Sequence, residues 1–308
     1  MTFLVLAALL AAPAWAGLCP GWGEARQVGE LAAEAIPEAS GLAVSKAWAR
    51  LYHINDSGGG PWFFVTDMRG TGRGKVFVEG FFPWDTEELA LGPCGKATCL
   101  FIGDIGDNAV RRSEVAVALV RERKEFPARV PALKVLRLRY PDGSHNAEAM
   151  AVHPKGDLFI VTKETPRKKG TRPAKVFRLA KAKVMSKGDA VLELEPWGEL
   201  DVPAFTGSKD KFGRIVTSMD IAPDGKSFLL LTYRDALEFG LDLSEGPVPA
   251  EPAEGKGFVR VPLKPLVQQE TVVYLPDGSG FLYGTEFVPN RAPEQKAPEL
   301  FLVPCSRP

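Results

Sequence analysis

The sequence carries no net charge with which to work at a distance, because 38 Lys and Arg balance 38 Asp and Glu. No field of one sign draws it to nucleic acid or to an anionic membrane, so a charged partner must be met by a local arrangement of side chains. The six tryptophans, at positions 15, 22, 48, 62, 84 and 197, form no regular series, which removes a stacking platform for single strands. Long apolar runs are missing after the first 16 residues, and with them a spanning helix, which needs about 20 apolar residues. Amphipathic stretches of helical period are nearly absent; segments 25–35 and 180–190 could each hold one helical turn, without persuasive caps. No paired C-x-x-C spacing is present, so a structural zinc site is not expected.

What is present is punctuation. Gly (31) and Pro (26) break the chain into short runs of Val, Ile, Leu, Phe and Tyr, the pattern of an all-β protein. Residues 2–16 form an apolar run ending in Ala14, Trp15 and Ala16, a small-x-small signal that predicts a signal peptide cleaved after Ala16 and a single mature domain over 17–308. Cys19 does not read as a lipid anchor, because Leu18 stands where a small residue is needed. Export implies a periplasmic or secreted protein with its four cysteines paired. Three pairings are open. Cys94 and Cys99 flank a short Gly-Lys turn and could staple one hairpin, which would leave Cys19 to join the mature N-terminus to Cys305; free buried thiols are the alternative.

A degenerate unit recurs five times: an apolar strand, a tight turn, and a second apolar strand ending near a charge. The copies begin at Ser40, Glu87, Glu148, Met219 and Glu270, with spacings of 47, 61, 71 and 51 residues, and further strand-like sequence follows each. Four strands per repeat is the signature of a β-propeller of five blades, or of six if Leu192 to Phe205 hides another. The last repeat supplies only about three strands. Ring closure would remove its exposed edge, and the segment from Glu24 to Leu31 is the natural donor of the missing strand.

In a propeller the first strand of each blade lines the channel and the strands alternate in direction, so the start of strand one and the end of strand two share a face. That face should gather Glu38, Ser40, Glu87, Glu148, Met219 and Glu270 with Asp56, Asp104, Lys163, Arg234 and Glu286. Acids dominate. Crowded like charges raise one another's pKa or recruit a cation, and calcium, which takes six to eight hard oxygens in loose geometry, is the expected ion. The candidate metal ligands are Asp56, Glu87, Asp104, Asp107, Glu270 and Glu286, with Glu148, Lys163 and Arg234 as candidate catalytic residues. The competing reading is a structural network in which Lys163 and Arg234 neutralise the acids. His145 stands on the approach to a channel strand as a proton carrier, a ligand or a satisfied polar neighbour, while His153 falls on the opposite face. The basic runs at 111–112 and 167–169 lie in loops above the same mouth, where they could meet phosphates or carboxylates or stay solvated.

The segment from Asn55 to Pro61 resembles the surroundings of the nucleophile in trypsin-like proteases, but only His53 lies upstream, four residues from Ser57. A triad needs its base on a separate element. The segments Glu38 to Leu42, Asn55 to Gly58, Gly103 to Asn108 and Tyr140 to Ala149, with Thr162 and Lys163, resemble a group of exported bacterial β-propellers of unestablished role. More distantly the chain is similar to the calcium-dependent phytase-like propellers and their esterase-like relatives. That resemblance implies acids at the channel mouth, bound calcium and hydrolysis of phosphate esters. The expectation is a monomeric propeller that binds a metal ion and a small polar or phosphorylated ligand, or a protein, at an acidic mouth. The alternatives are a calcium-dependent phosphoesterase or esterase-like hydrolase, and a lactonase.

Overall fold

The computed structural model describes residues 18–165, 171–248, 257–261, 263–264 and 266–306. The expected signal peptide and the basic run at 167–169 lie outside the described residues. Five sheets, antiparallel except for short parallel edges on two of them, are arranged as the blades of a propeller. Blade 1 comprises Ala39–Val44, Leu51–Asn55, Trp62–Thr66 and Gly72–Glu79. Blade 2 comprises Thr86–Cys94, Ala97–Asp104, Val115–Arg121 and Lys134–Arg139. Blade 3 runs through Ala147–Val152, Leu158–Thr162, Ala174–Leu179 and Glu195–Leu200, and blade 4 through Val216–Ile221, Phe228–Thr232, Ala236–Phe239 and Phe258–Val261. Blade 5 takes Gln269–Tyr274, Gly280–Thr285 and Glu299–Pro304 from the end of the chain and Arg26–Glu30 from its beginning. The first strand of each blade touches the first strand of the next, and blade 5 touches blade 1, so the ring closes around a channel.

The N-terminal strand pairs antiparallel with Glu299–Pro304, and Cys19 is bonded to Cys305 beside it. Cys94 and Cys99 staple the first hairpin of blade 2. Among the described residues there is no sixth blade: Leu192–Glu193 adds a short parallel edge to blade 2, Glu195–Leu200 is the outer strand of blade 3, and Val202–Thr206 is a helical turn capped by the Asp201 side chain. In segment 25–35 the first part is the closing strand Arg26–Glu30, because pairing an open edge recovers more backbone hydrogen bonds than an isolated turn can, and a single helical turn follows, in which the Ile36 amide donates to the Ala32 carbonyl at 2.8 Å. Segment 180–190 does hold a short helix, Lys181–Val184.

The blades adhere through five apolar wedges, one between each neighbouring pair. Period-two alternation explains how one strand serves two of them. In Phe228–Thr232, Leu229 and Leu231 face blade 5, while Phe228 and Leu230 face blade 3. Strands covered on both sides therefore read as continuous apolar runs rather than as alternating ones, and this is why short runs such as Leu158–Thr162 mark blade centres.

Candidate functional site

All five blades break register at the same place, near the start of the first strand. The breaks fall between Ser40 and Leu42, Thr86 and Glu88, Ala147 and Ala149, Val216 and Ser218, and Gln269 and Thr271. The extra residues are therefore Gly41, Glu87, Glu148, Thr217 and Glu270. A bulge adds one unpaired residue and re-aims its side chain, so three of five equivalent positions hold a glutamate, at 3%, 4% and 6% exposure. Gly41 adopts a φ of +58°, and a Cβ there would overlap the backbone amide of Leu89, which explains the missing side chain in blade 1.

The last paired residues of the second strands are Asn55, Asp104, Thr162, Thr232 and Thr285. The residues just after them are Asp56, Ile105, Lys163, Tyr233 and Glu286, and four of these five reach the bulge glutamates. Asp56 acts electrostatically on Glu87 and Glu148, and Glu286 on Glu148 and Glu270. The Lys163 ammonium is bonded to Glu148 and lies 3.0 Å from the Tyr233 hydroxyl. Asp56, Glu87, Glu148, Lys163, Glu270 and Glu286 are thus brought together at one mouth.

Asp104, Asp107 and Arg234 are held by other partners, although the Asp104 charge acts on Asp85 beside the mouth. Asp104 sits one register position earlier and is clamped by Arg112 through bonds of 3.0 and 2.5 Å, while its Oδ1 also accepts from the Trp84 and Asp85 amides. Asp107 accepts from the amides of Arg111 and Arg112, both at 2.7 Å. Arg234, one position too late, reaches Asp210 at 2.8 Å. One residue of slip moves a side chain to the other face of a strand. The expected channel positions are corrected in the same way: Thr217 rather than Met219 is the blade 4 counterpart of Glu87, and Gly41 rather than Ser40 is that of blade 1.

Asp85, Thr217, Tyr233 and Gln268 escaped the sequence reading. Carboxylate oxygens of Asp56, Asp85 and Glu87 lie within 4.8 Å of one another. Among the described residues, none of the three takes part in an ion pair. A Cβ on Gly106 would overlap the carboxylates of Asp85 and Glu87, so glycine there is what lets the two approach. Gln268 holds a φ of +55°, a costly conformation for this residue type that the surroundings must enforce. Its amide donates to Glu270 at 3.1 Å and to Glu286 at 3.2 Å.

Burial raises Asp85, Glu87, Glu148, Glu270 and Glu286. For Glu87 the charges of Glu148, Asp56 and Asp85 add to it, and for Glu270 those of Glu148 and Glu286 do. Glu286 is pushed up to about 7 by burial, with Gln268 pulling the other way and Asp56 adding to the rise. Glu148 is also raised by burial, which the Lys163 ammonium only partly offsets. Two buried oxygens in this group, Glu148 Oε2 and Thr217 Oγ1, have no hydrogen-bond partner, although such atoms normally find one in protein or water. His145 is a satisfied neighbour: its Nε2 meets Asp142 at 2.8 Å and its ring packs on Tyr140 and Phe177.

No family model and no curated protein matches the chain. Among solved structures, a luciferin-regenerating enzyme aligns with a TM-score of 0.48 at 8% identity, over 92% of this chain and 95% of that one. Hydrazine synthase of Kuenenia stuttgartiensis aligns at 0.41 and 16% identity, over 81% and 56%. The WD40 repeats of RRP9 align at 0.40 and 11% identity, over 87% and 67%. The propeller architecture described above rests on this chain's own strand order.

Proposed function

We propose that the protein binds a divalent cation, calcium by its donor chemistry, at Asp56, Asp85 and Glu87, and that the same mouth takes a small phosphorylated or carboxylated ligand with Lys163 as a second positive group. The observation that carries this reading is a cluster of three carboxylates from two blades with oxygens inside 4.8 Å, none of them in a direct ion pair among the described residues, although Arg112 acts on Asp85 and Lys163 on Glu87 from farther off. Hard oxygens in loose geometry suit calcium better than zinc or copper. The unpartnered Oε2 of Glu148 supplies independent support, since a buried carboxylate oxygen left alone costs about 1–3 kcal/mol. Glu270 and Glu286, tied by Gln268, extend the polar wall on blade 5, next to Asp56. Two disulfides suit the oxidising compartment that export would provide.

Trp84, 79% exposed, is the chain neighbour of Asp85, so terbium bound at Asp85 should be sensitised by the indole. Calcium should displace the terbium. Asp85→Asn and Gly106→Ala should each weaken calcium binding by at least about tenfold, the first by removing a charged ligand and the second by pushing two ligands apart. Failure of millimolar calcium to quench the terbium signal would sink the reading.

A hydrolase of phosphate esters is the second reading, favoured by Glu148 Oε2 standing free beside the Lys163 ammonium. In that role Glu148 takes a proton from water as the water oxygen bonds to phosphorus, the ester P–O bond breaks with its electron pair leaving on the alcohol oxygen, which solvent protonates, and Lys163 steadies negative charge on the phosphoryl oxygens. Turnover of 4-nitrophenyl phosphate that Glu148→Gln lowers by about a hundredfold or more is the expected result. Absence of turnover by the wild-type protein would leave the binder alone standing.

A further inference from the structure

The channel does not run open from end to end. Below the acidic mouth, Glu88 of blade 2 reaches across to blade 4, where its Oε2 accepts from the Ser218 hydroxyl at 2.5 Å, and Ser218 Oγ in turn accepts the Val272 amide of blade 5 at 3.1 Å. Glu88 and Ser218 are both essentially inaccessible. This crossbar separates the acidic mouth from a cavity of about 230 Å³ at the far ends of the first strands.

The far cavity has a different chemistry. Its walls mix polar and apolar surface, the apolar part being Leu42, Val44, Leu91, Val152, Ile221 and Val273, contributed by all five blades. Four hairpins place a proline there, Pro93, Pro154, Pro223 and Pro276, and proline presents no backbone N–H. Hydrogen-bond acceptors therefore prevail. The carboxylate of Asp220 is fixed by the Tyr274 amide at 2.7 Å, and Glu122 lines the same space, held by the Tyr52 hydroxyl at 3.2 Å. The only lining cation is Lys46, an exposed side chain. It forms no ion pair with Asp220 among the described residues. Burial drives the Asp220 carboxyl up to about 7, against the Tyr274 and Ile221 amides and, more weakly, the Lys46 charge.

We infer that this far mouth is a second binding site, independent of the acidic one, for a small apolar molecule carrying one protonated amine. The apolar walls take the body of the ligand, and the ammonium meets Asp220, giving that carboxylate the close positive partner it lacks. The cavity is smaller than the roughly 300–1,000 Å³ of drug-sized sites, which restricts the ligand to about ten heavy atoms. A carboxylate ligand would face Asp220 and Glu122 with like charge against the single lining cation Lys46, so an amine is favoured over an anion.

Calorimetric titration of the intact, calcium-saturated protein with 2-phenylethylamine, 2-phenylethanol and phenylacetate tests this. The amine should bind at least about fivefold more tightly than the alcohol, as expected for a charge-assisted hydrogen bond, and phenylacetate should not bind. Asp220→Asn keeps an acceptor for the Tyr274 amide, so the fold is retained, yet amine affinity should fall to that of the alcohol. Ala47→Trp, at an exposed rim position, should block both ligands. Absence of amine binding, equal affinities for amine and alcohol, or amine binding that survives both substitutions would each overturn the inference. The last outcome would place the amine at the acidic mouth instead.

Discussion

Replacing Cys19 and Cys305 together with serine should cost about 5 kcal/mol of stability, whereas the same change at Cys94 and Cys99 should cost about 2 kcal/mol. The difference comes from loop length. The first bridge spans a sequence separation of 286 and the second only 5, and the entropy that a cross-link removes from the unfolded chain grows with the logarithm of the loop. The closing strand would keep its ladder with Glu299–Pro304. The N-terminal segment would also keep its anchor on Glu238, which accepts from the Cys19 amide at 2.9 Å and from the Trp22 indole at 3.0 Å. The protein should therefore still fold, with a melting temperature lower by roughly 10 °C or more. Urea denaturation should show a larger m-value in the Cys19/Cys305 variant, because its unfolded chain opens further. A loss no greater than that at Cys94/Cys99 would mean that the bridge does not limit the unfolded ensemble, and ring closure would then rest on the strand ladder and the apolar wedge between blades 5 and 1.

The all-β class, the strand donated by the N-terminus and the Cys19–Cys305 pairing were legible because each follows from a demand of the whole ring. Apolar runs repeat at blade spacing, an incomplete last blade needs a partner, and two cysteines fall at the seam. The mouth was legible only in part. Glu87, Glu148 and Glu270 announce themselves as acids at repeated positions, but a bulge shifts register by one, and no composition signal marks a bulge in Ala147–Val152 or Val216–Ile221. Blade 4 shows the result: its mouth residues are Thr217 and Tyr233, which carry no charge for a repeat alignment to catch, so the reading settled on Met219 and Arg234. Asp104 misled for the opposite reason. It is an acid at a strand end, yet the Arg112 that takes it up lies in a loop whose path depends on tertiary packing. Asp85 precedes its strand, where the sequence gives no periodicity to place it.

Lys163→Met should destabilise the metal-free protein by about 3–5 kcal/mol at pH 8, because it leaves the Glu148 carboxylate buried without its ammonium partner. Lys163 is the only cation bonded to a bulge glutamate among the described residues. Burial opposes its charge, but Glu148 and Glu270 more than offset this and hold its pKa above the usual lysine range. The pH dependence distinguishes lost charge pairing from lost packing. Glu148 and Glu270 already titrate above the ordinary value of 4.5 in the folded state, and removing Lys163 raises them further. Between that ordinary value and the raised one, the folded state holds protons that the unfolded state has released, so stability falls as pH rises. The penalty should accordingly be largest at pH 8 and shrink toward pH 5. His53, whose pKa burial lowers to about 3, contributes stability that is lost as pH falls below its unfolded value of 6.5. That loss is common to both proteins and cancels in their difference. Adding Glu148→Gln to Lys163→Met should recover much of the stability at pH 8, since the uncompensated charge is then gone. Chemical denaturation of the wild type, both single variants and the double variant at pH 5 and 8, with a chelator present, measures the coupling directly. A loss independent of pH, unrelieved by Glu148→Gln, would mean that Lys163 acts through the packing of its aliphatic stem against Tyr233 rather than as the counter-charge of the acidic mouth.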